Sequence, residues 1–266
     1  MNKLIMYCIC LQDELYKDVK ELGYVPVGLG SKNFSSGWLR DNRGENISEK
    51  NPYYSEYSFH YWLWKNKIDH IEDGTWIGFC TYRRFWLNNK KTITKVNKNN
   101  FLSNVPEEWN NYNTILGQQQ FINKMKLSKL AKHSLRSLLN YPPAIFEKNR
   151  NIKFHFNSFH GFGILDKSID LLHDEDREDF RKFTEQNTSF NYGNMFICKS
   201  KKIIKNYYNS VFPWLERCEK ILGFKPRDYS TRIYGYLVER YSSYWFNKYA
   251  KPLMWPIIFF DINPKR

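Results

Sequence analysis

Apolar positions along this chain come in short blocks separated by polar segments with helical spacing. Leu4 to Leu11 is a continuous apolar run, the pattern of a buried strand, and Tyr24 to Leu29 is a second. The polar stretch between them, Asp13 to Leu22, has helical character, so the chain opens as an α/β unit. Asn51-Pro52 predicts an N-cap followed by proline at the first helical position, starting a helix that runs to about Asn66. Its Tyr, Phe, Trp and Leu side chains fall all round the helical wheel, which predicts burial on most sides. Thr75 to Thr81 reads as the next strand and Asn113 to Leu116 as another. From Phe121 to Leu139, leucines at helical spacing oppose Lys126, Lys129, Lys132, His133 and Arg136, predicting a basic amphipathic helix that stops before Pro142-Pro143. Ile164 to Phe183 predicts one helix or two, carrying Asp174-Glu175-Asp176, expected to be a solvated helix end. A strand at Met195 to Cys198, helices from about Ile203 to Leu222 and Asp228 to Tyr249, and a strand-like tail at Ile257 to Phe260 complete the pattern. Helices alternating with short buried strands predict the α/β class, with an open, mixed and mostly parallel sheet flanked by helices. No internal repeat or low-complexity linker divides residues 1–266, so a single domain is expected.

Composition narrows the setting. A chain of 266 residues can bury a substantial core. Its longest apolar runs fall far short of the roughly 20 residues that span a bilayer. Leu4 to Leu11 is also short for a secretory signal and is followed at once by Asp13 and Glu14, so it reads better as a strand. Cys8, Cys10, Cys80, Cys198 and Cys218 lack paired metal-type spacing and are expected to be buried free thiols in a reducing cytoplasm. The net charge of +14, from 41 basic and 27 acidic residues, predicts attraction to an anion. Nucleic acid, an anionic membrane surface and a phosphorylated small molecule all satisfy it.

Chemistry concentrates between Arg40 and Trp86. Asp41 to Asn51 is rich in acceptors and amides around Gly44, which suits a tight loop able to hydrogen-bond a base, ribose or sugar; an ordinary turn feeding a helix has the same composition. Arg83 and Arg84 follow a buried strand, placing at least one guanidinium at the strand's carboxyl end, where open α/β sheets bind ligands. A guanidinium presents a planar fork matched to phosphate oxygens. An ion pair with Glu45 or Glu56 is the structural alternative. Glu56 and His60 lie one turn apart on the aromatic helix, and a carboxylate in such surroundings is poised as a general base unless it is paired. Asn194, just before the Met195 strand, is a candidate sugar-hydroxyl ligand. No Ser/His/Asp order, phosphate-cradling glycine loop or zinc-type cluster stands out, which leaves covalent hydrolase and kinase readings without support.

Four blocks in order, Gly44-Glu45-Asn46-Ile47-Ser48-Glu49-Lys50-Asn51, Glu56 to Asn66, Gly78-Phe79-Cys80-Thr81-Tyr82-Arg83-Arg84-Phe85 and Asn194-Met195-Phe196-Ile197, resemble the DUF4422 family of bacterial capsular and exopolysaccharide biosynthesis proteins. The resemblance covers most of the chain. It implies a GT-A-like fold and a glycosyltransferase that moves a sugar from a nucleotide diphosphate donor to a growing capsular, exopolysaccharide or lipopolysaccharide-type glycan. It also implies a donor loop containing Asp41 and Asn46, with Arg83, Arg84 and Asn194 completing the donor site. Arg232, Gly235, Glu239 and Arg240 match a late family block, implying Glu239, or else Glu56, as the group that deprotonates the acceptor. His160 matches a mid-chain family histidine and is expected, with Arg232, to contact the acceptor. The family's histidine before Tyr-Arg-Arg is Thr81 here, which removes any role that histidine has in relatives. Many GT-A enzymes hold a divalent cation with Asp-x-Asp after an apolar strand; this chain has none there. No cofactor is therefore expected, the arginines doing the electrostatic work; the alternative is Mn or Mg held by a carboxylate from elsewhere, Asp41 or Glu45. A lipid-linked acceptor and a cationic surface resting on anionic headgroups at the inner face of the cell membrane would give the basic helix a purpose. The competing class is a non-enzymatic, basic nucleic-acid-binding or interaction protein.

Overall fold

β1 (Leu4–Cys10) is apolar at every position and needs cover on both sides. Alternation sends Tyr7 and Ile9 to one face and Met6, Cys8 and Cys10 to the other, and none of the five is more than 4% exposed. In the computed structural model, which describes residues 3–91, 95–124, 130, 134–191, 194–224 and 229–262, β1 lies between β2 (Val25–Gly28) and β4 (Trp76–Thr81) and is parallel to both. β3 (Leu39–Arg40) extends the sheet beyond β2, also in parallel. On the other side β9 (Phe196–Cys198) runs antiparallel between β4 and β6 (Thr114–Gly117), and β10 (Leu253–Trp255) pairs with β6 in parallel. β5 (Arg84–Trp86) turns back on β4 and pairs with β11 (Ile257–Phe259). A separate ribbon joins β7 (Gln119–Phe121) to β8 (Ser189–Asn191). The sheet is mixed and mostly parallel, as the sequence pattern predicts.

Helices cover both faces. One core packs Tyr7, Ile9, Ile77 and Phe79 against aromatic side chains of α3 (Tyr57–Asn66), α8 (Lys201–Leu222) and α9 (Ile233–Tyr249). The other packs Met6, Cys8 and Cys80 against Leu15, Val19 of α1 (Tyr16–Glu21), Trp109 and Trp255. All five cysteines are buried free thiols.

Three expectations need correction. The aromatic helix does not run unbroken from Asn51. α2 (Asn51–Tyr54) ends at Ser55, whose backbone takes φ 55° and ψ −134°, before α3 begins after Glu56. Asn51 is the first helical residue rather than a cap. Its side-chain amide donates to Ser55 O at 2.9 Å and Ser58 Oγ at 3.1 Å, fixing the turn instead of prolonging the helix. The predicted basic helix begins in strand, since Phe121 closes β7, and its described end is the short α4 (Leu135–Asn140); Lys126, Lys129, Lys132 and His133 lie outside the described residues. Ile164 to Phe183 does form two helices, one of the two expected arrangements: α6 (Ile164–Asp170), which follows α5 (Ile152–Phe159), and α7 (Asp174–Gln186). The acidic run at the start of α7 is not wholly solvated, because Asp176 is 7% exposed and accepts hydrogen bonds from Tyr241, Tyr244, Tyr249 and Lys248.

Candidate active site

β1, β2 and β4 are parallel, so their carboxyl ends share one edge, where open α/β sheets bind ligands. Leu11, Leu29, Thr81 and Tyr82, at or just past those ends, meet Asn51, Ser55, Glu56 and Arg232 around a recess of about 70 Å³. A groove of about 530 Å³, lined by Gly30, Ser31, Asn42, Asn46, Ser48 and Lys50, adjoins it across Leu29-Gly30 and Lys50-Asn51. A separate cleft of about 480 Å³, lined in part by Tyr141, Asn157, Phe162 and Asp166, contains none of the candidate residues.

The turn presenting Glu56 is tied down by buried polar groups. Asp41 is fully buried; one carboxylate oxygen accepts Gly30 N–H at 2.9 Å and the other Ser58 Oγ–H at 2.7 Å. Ser58 is also joined to Asn51, so Asp41, Ser58 and Asn51 link the β2 loop to the turn at Ser55. Burial pushes the Asp41 carboxyl above its ordinary range, partly offset by the hydrogen bonds from Ser58 and Gly30. The expected donor ligand is thus a strut of the site. Asn46 also uses its side chain locally, accepting from Ser48 N and Oγ and donating to Gly44 O, yet it still lines the groove.

α9 reaches the same edge because Gly235 has no side chain. A Cβ there would lie 3.1 Å from Ser55 Cβ, closer than most packed carbons come, so glycine lets the helix lean on the Glu56 turn without displacing it. One turn further along α9, Glu239 keeps 28% of its side chain accessible. Burial raises its carboxyl above the ordinary glutamate range; Arg240 lowers it, Glu56 raises it further and Arg84 lowers it. The two candidate carboxylates and one of the two arginines therefore act on one another, although they come from the α2–α3 turn, β5 and α9. Arg240, 1% exposed, donates Nη1–H to Glu239 Oε2 at 2.7 Å and to Tyr236 O at 3.0 Å. Its Nη2 donates to His160 Nε2 at 3.1 Å and His155 Nδ1 at 3.3 Å. The guanidinium carbon sits 4.6 Å from the centre of the Phe190 ring.

His160 is correspondingly a support rather than a wall of the recess. It is 5% exposed, stacks 3.9 Å from Tyr236 and has its pKa pushed down to about 2 by burial, then by Arg240 and His155. His60 does not accompany Glu56. It sits in the core 4.2 Å from Phe79, shares a 2.7 Å hydrogen bond with Tyr208 and is held neutral by burial, its pKa about 3. Arg83 is half exposed, 3.8 Å from Asp261 and over the Tyr82 ring, while Arg84 begins β5 opposite Thr81. Neither expected pairing with Glu45 is formed, since Glu45 binds Tyr61 and Lys65. Asn194 lies just before β9 and is 8% exposed; its Oδ1 has no hydrogen-bond partner among the described residues. Arg232 lines the recess and is exposed.

No group of three His, Cys, Asp or Glu side chains forms a metal-ligand set among the described residues. Asp41 has both oxygens engaged and Glu45 is paired, so neither carboxylate fits a cation site in this arrangement. Sequence reading misses Ser55 and Ser58 as builders of the site. Nothing local marks a serine for φ 55°, and only the folded chain brings Ser58 to Asp41.

The model of a family described as a domain of unknown function, DUF4422, matches residues 7–251, and the chain belongs to that family. No curated protein matches. Among solved structures the chain is similar to one titled as the apo structure of WbbM, a bifunctional glycosyltransferase, with a TM-score of 0.69 at 18% identity over 97% of this chain. The match takes in 45% of that protein, so this chain spans less than half its length. At that identity the likeness establishes the fold.

Proposed function

We propose that this DUF4422 chain is a glycosyltransferase that transfers a sugar from a nucleotide diphosphate donor to a growing capsular, exopolysaccharide or lipopolysaccharide-type glycan. The observation that carries the reading is that Glu56 and Arg232 line the recess at the carboxyl edge of the parallel strands, where Glu56 and Arg84 both bear on the charge of Glu239, beside a groove of about 530 Å³. The likeness in fold to a bifunctional glycosyltransferase supports it. In this reading the groove at Asn46 takes the nucleoside and Asn194 the donor sugar. Arg83 and Arg84 stabilise the charge that builds on the departing diphosphate, as preorganised cations do at a developing anion. Arg232 orients the acceptor. Glu239 takes the acceptor hydroxyl proton as the new bond forms, with Glu56 as the alternative base, and a carboxyl raised by burial is suited to that transfer near neutral pH. No step is assigned to a cation.

Two finer features belong to the same proposal. Leu135, Leu139, Ile145 and Phe146 are each more than half exposed, and with Arg136 and Lys148 among them they form a surface suited to an anionic leaflet bearing a lipid-linked acceptor. No helix among the described residues is long and apolar enough to cross a membrane, so contact would be peripheral. The five free thiols suit a reducing cytoplasm.

The test is thermal unfolding with nucleosides, nucleoside diphosphates and nucleotide sugars, each with EDTA, Mn²⁺ or Mg²⁺. A ligand at a hundred times its Kd stabilises the native state by about 2.7 kcal/mol. At least one nucleoside diphosphate should raise the midpoint, and the rise should persist in EDTA. Complete loss in EDTA with recovery in Mn²⁺ or Mg²⁺ would overturn the cation-free mechanism alone. Stabilisation by single-stranded nucleic acid, with no response to any nucleotide sugar, would replace the enzyme with the binding-protein reading.

A further inference from the structure

Arginine carries hydrogen-bond donors and no acceptor, so each group facing the buried Arg240 guanidinium must offer a lone pair. Glu239 Oε2 and Tyr236 O do so on Nη1. On Nη2 the acceptors are ring nitrogens of two histidines from α5 and its end, which must therefore be unprotonated at His155 Nδ1 and His160 Nε2. A neutral imidazole carries its hydrogen on the other nitrogen, so His160 is the Nδ1–H tautomer and His155 the Nε2–H tautomer. The histidines hold the cation from behind while adding no charge, and the Phe190 and Phe156 rings flank it at 4.6 and 5.5 Å. On its other side the guanidinium meets one oxygen of the partly accessible Glu239 carboxylate at 2.7 Å.

We propose that Arg240 is a positioning residue for Glu239: through its 2.7 Å hydrogen bond it keeps that carboxylate ionised and fixed in orientation, with neutral His155 and His160 fixing the guanidinium in place. Among the described residues, the charged and titratable groups shown to bear on Glu239 are Glu56 and Tyr57 from the α2–α3 region, Arg84 from β5, and Arg240, which His155 and His160 contact in turn. Arg84 supplies part of the favourable field and Glu56 opposes it. Arg240 supplies the contact hydrogen bond. This rests on the reading of Glu239 as the base, but the arrangement itself can be measured without any transfer reaction.

The experiment is carbon-detected NMR of protein labelled at glutamate Cδ, with Glu239 assigned by its loss in Glu239→Gln. Removing an opposite charge at hydrogen-bond distance should raise a carboxyl pKa by about one to three units. In Arg240→Met the Glu239 midpoint should move up by that amount, and in Arg240→Lys, which keeps the charge without the fork, by less. Near-UV circular dichroism reports whether each variant is folded. An unchanged Glu239 midpoint in folded Arg240→Met, or a shift in folded Arg240→Lys as large as in Arg240→Met, would overturn the proposal and leave Arg240 a packing residue. Should neither variant fold, nitrogen chemical shifts of the wild-type histidines decide. Nδ1–H at His160 and Nε2–H at His155 support the arrangement, and the opposite tautomer at either refutes it. A titration that behaves as expected in a protein that binds no nucleotide would sink the glycosyltransferase reading and leave this one intact.

Discussion

Replacing Gly235 by alanine sets two opposing effects against each other. Gly235 lies within α9, where alanine is favoured over glycine by about 1 kcal/mol. The new Cβ, however, would stand 3.1 Å from Ser55 Cβ, with the Tyr54 carbonyl oxygen next at 3.7 Å. Ser55 cannot yield easily, because its φ of 55° is held by Ser55 N–H to Asn51 O at 2.8 Å and by the Asn51 amide on Ser55 O at 2.9 Å. Overpacking of this kind costs about 1–3 kcal/mol, so Gly235→Ala should be destabilising by up to about 2 kcal/mol after the helix gain is subtracted. In a Ser55→Gly background the colliding Cβ is gone and glycine accepts the backbone conformation. The nearest remaining atom, at 3.7 Å, is then in ordinary contact, and the same substitution should stabilise by about 1 kcal/mol. The difference, about 1–3 kcal/mol, is the coupling energy of the cycle. Urea unfolding followed by tryptophan fluorescence on the four proteins measures it. Additivity within about 0.5 kcal/mol would refute the idea that the bare Cα of Gly235 sets the approach of α9 to the Glu56 turn.

At least one of Arg83→Ala and Arg84→Ala should weaken nucleoside diphosphate binding about tenfold to a hundredfold, the worth of a charge-assisted contact, with little change for the nucleoside; unchanged diphosphate affinity in both, by calorimetry, would remove them from the site. Glu239→Gln should keep donor binding and lose transfer by about 10²–10⁴-fold, and an active Glu239→Gln beside an inactive, folded Glu56→Gln would move the base to the α2–α3 turn. Because the Glu239 carboxyl is raised and must be ionised to accept a proton, the wild-type transfer rate should climb with pH through a midpoint above the ordinary glutamate value; a midpoint at or below that value would argue against this base. His60 and His160, with folded pKa values of about 3 and about 2, stay neutral in the native state while the unfolded chain takes up protons below about pH 6.5. The unfolded state is thus favoured as pH falls, and each histidine should cost about 2 kcal/mol of stability between pH 7 and pH 5. His60→Phe should reduce the measured loss by that amount, and an equal loss in the variant would mean that His60 is not buried neutral.

Fold class was legible in the sequence because its signals are local. A strand covered on both faces must be apolar at successive positions, and β1, β2, β4 and β9 lie within the runs that show it. Helices α8 and α9 follow from their periodicity, and the place of Arg83 and Arg84 at the end of a strand follows from counting residues after an apolar run. The break at Ser55 escaped that reasoning. The stretch Asn51 to Asn66 favours a helix throughout, and the turn is made by Asn51, Ser58 and Asp41, the last from outside the segment.

The roles of individual polar residues were decided by the tertiary structure. Asp41 reads as a ligand in a polar loop, yet its two oxygens face inward, while Glu239, singled out in the sequence only by a late family block, lies where the α2–α3 turn and β5 bring Glu56 and Arg84 to bear on it. His60 is placed by helical spacing on the same side as Glu56, and the packing of Phe79, Phe196 and Tyr208 takes it into the core instead. Periodicity specifies which face of an element turns inward because water acts on every apolar side chain alike. The charge state of a carboxylate or an imidazole depends on which few atoms surround it, and here those atoms come from residues more than a hundred positions apart, joined only when the helices close over the sheet.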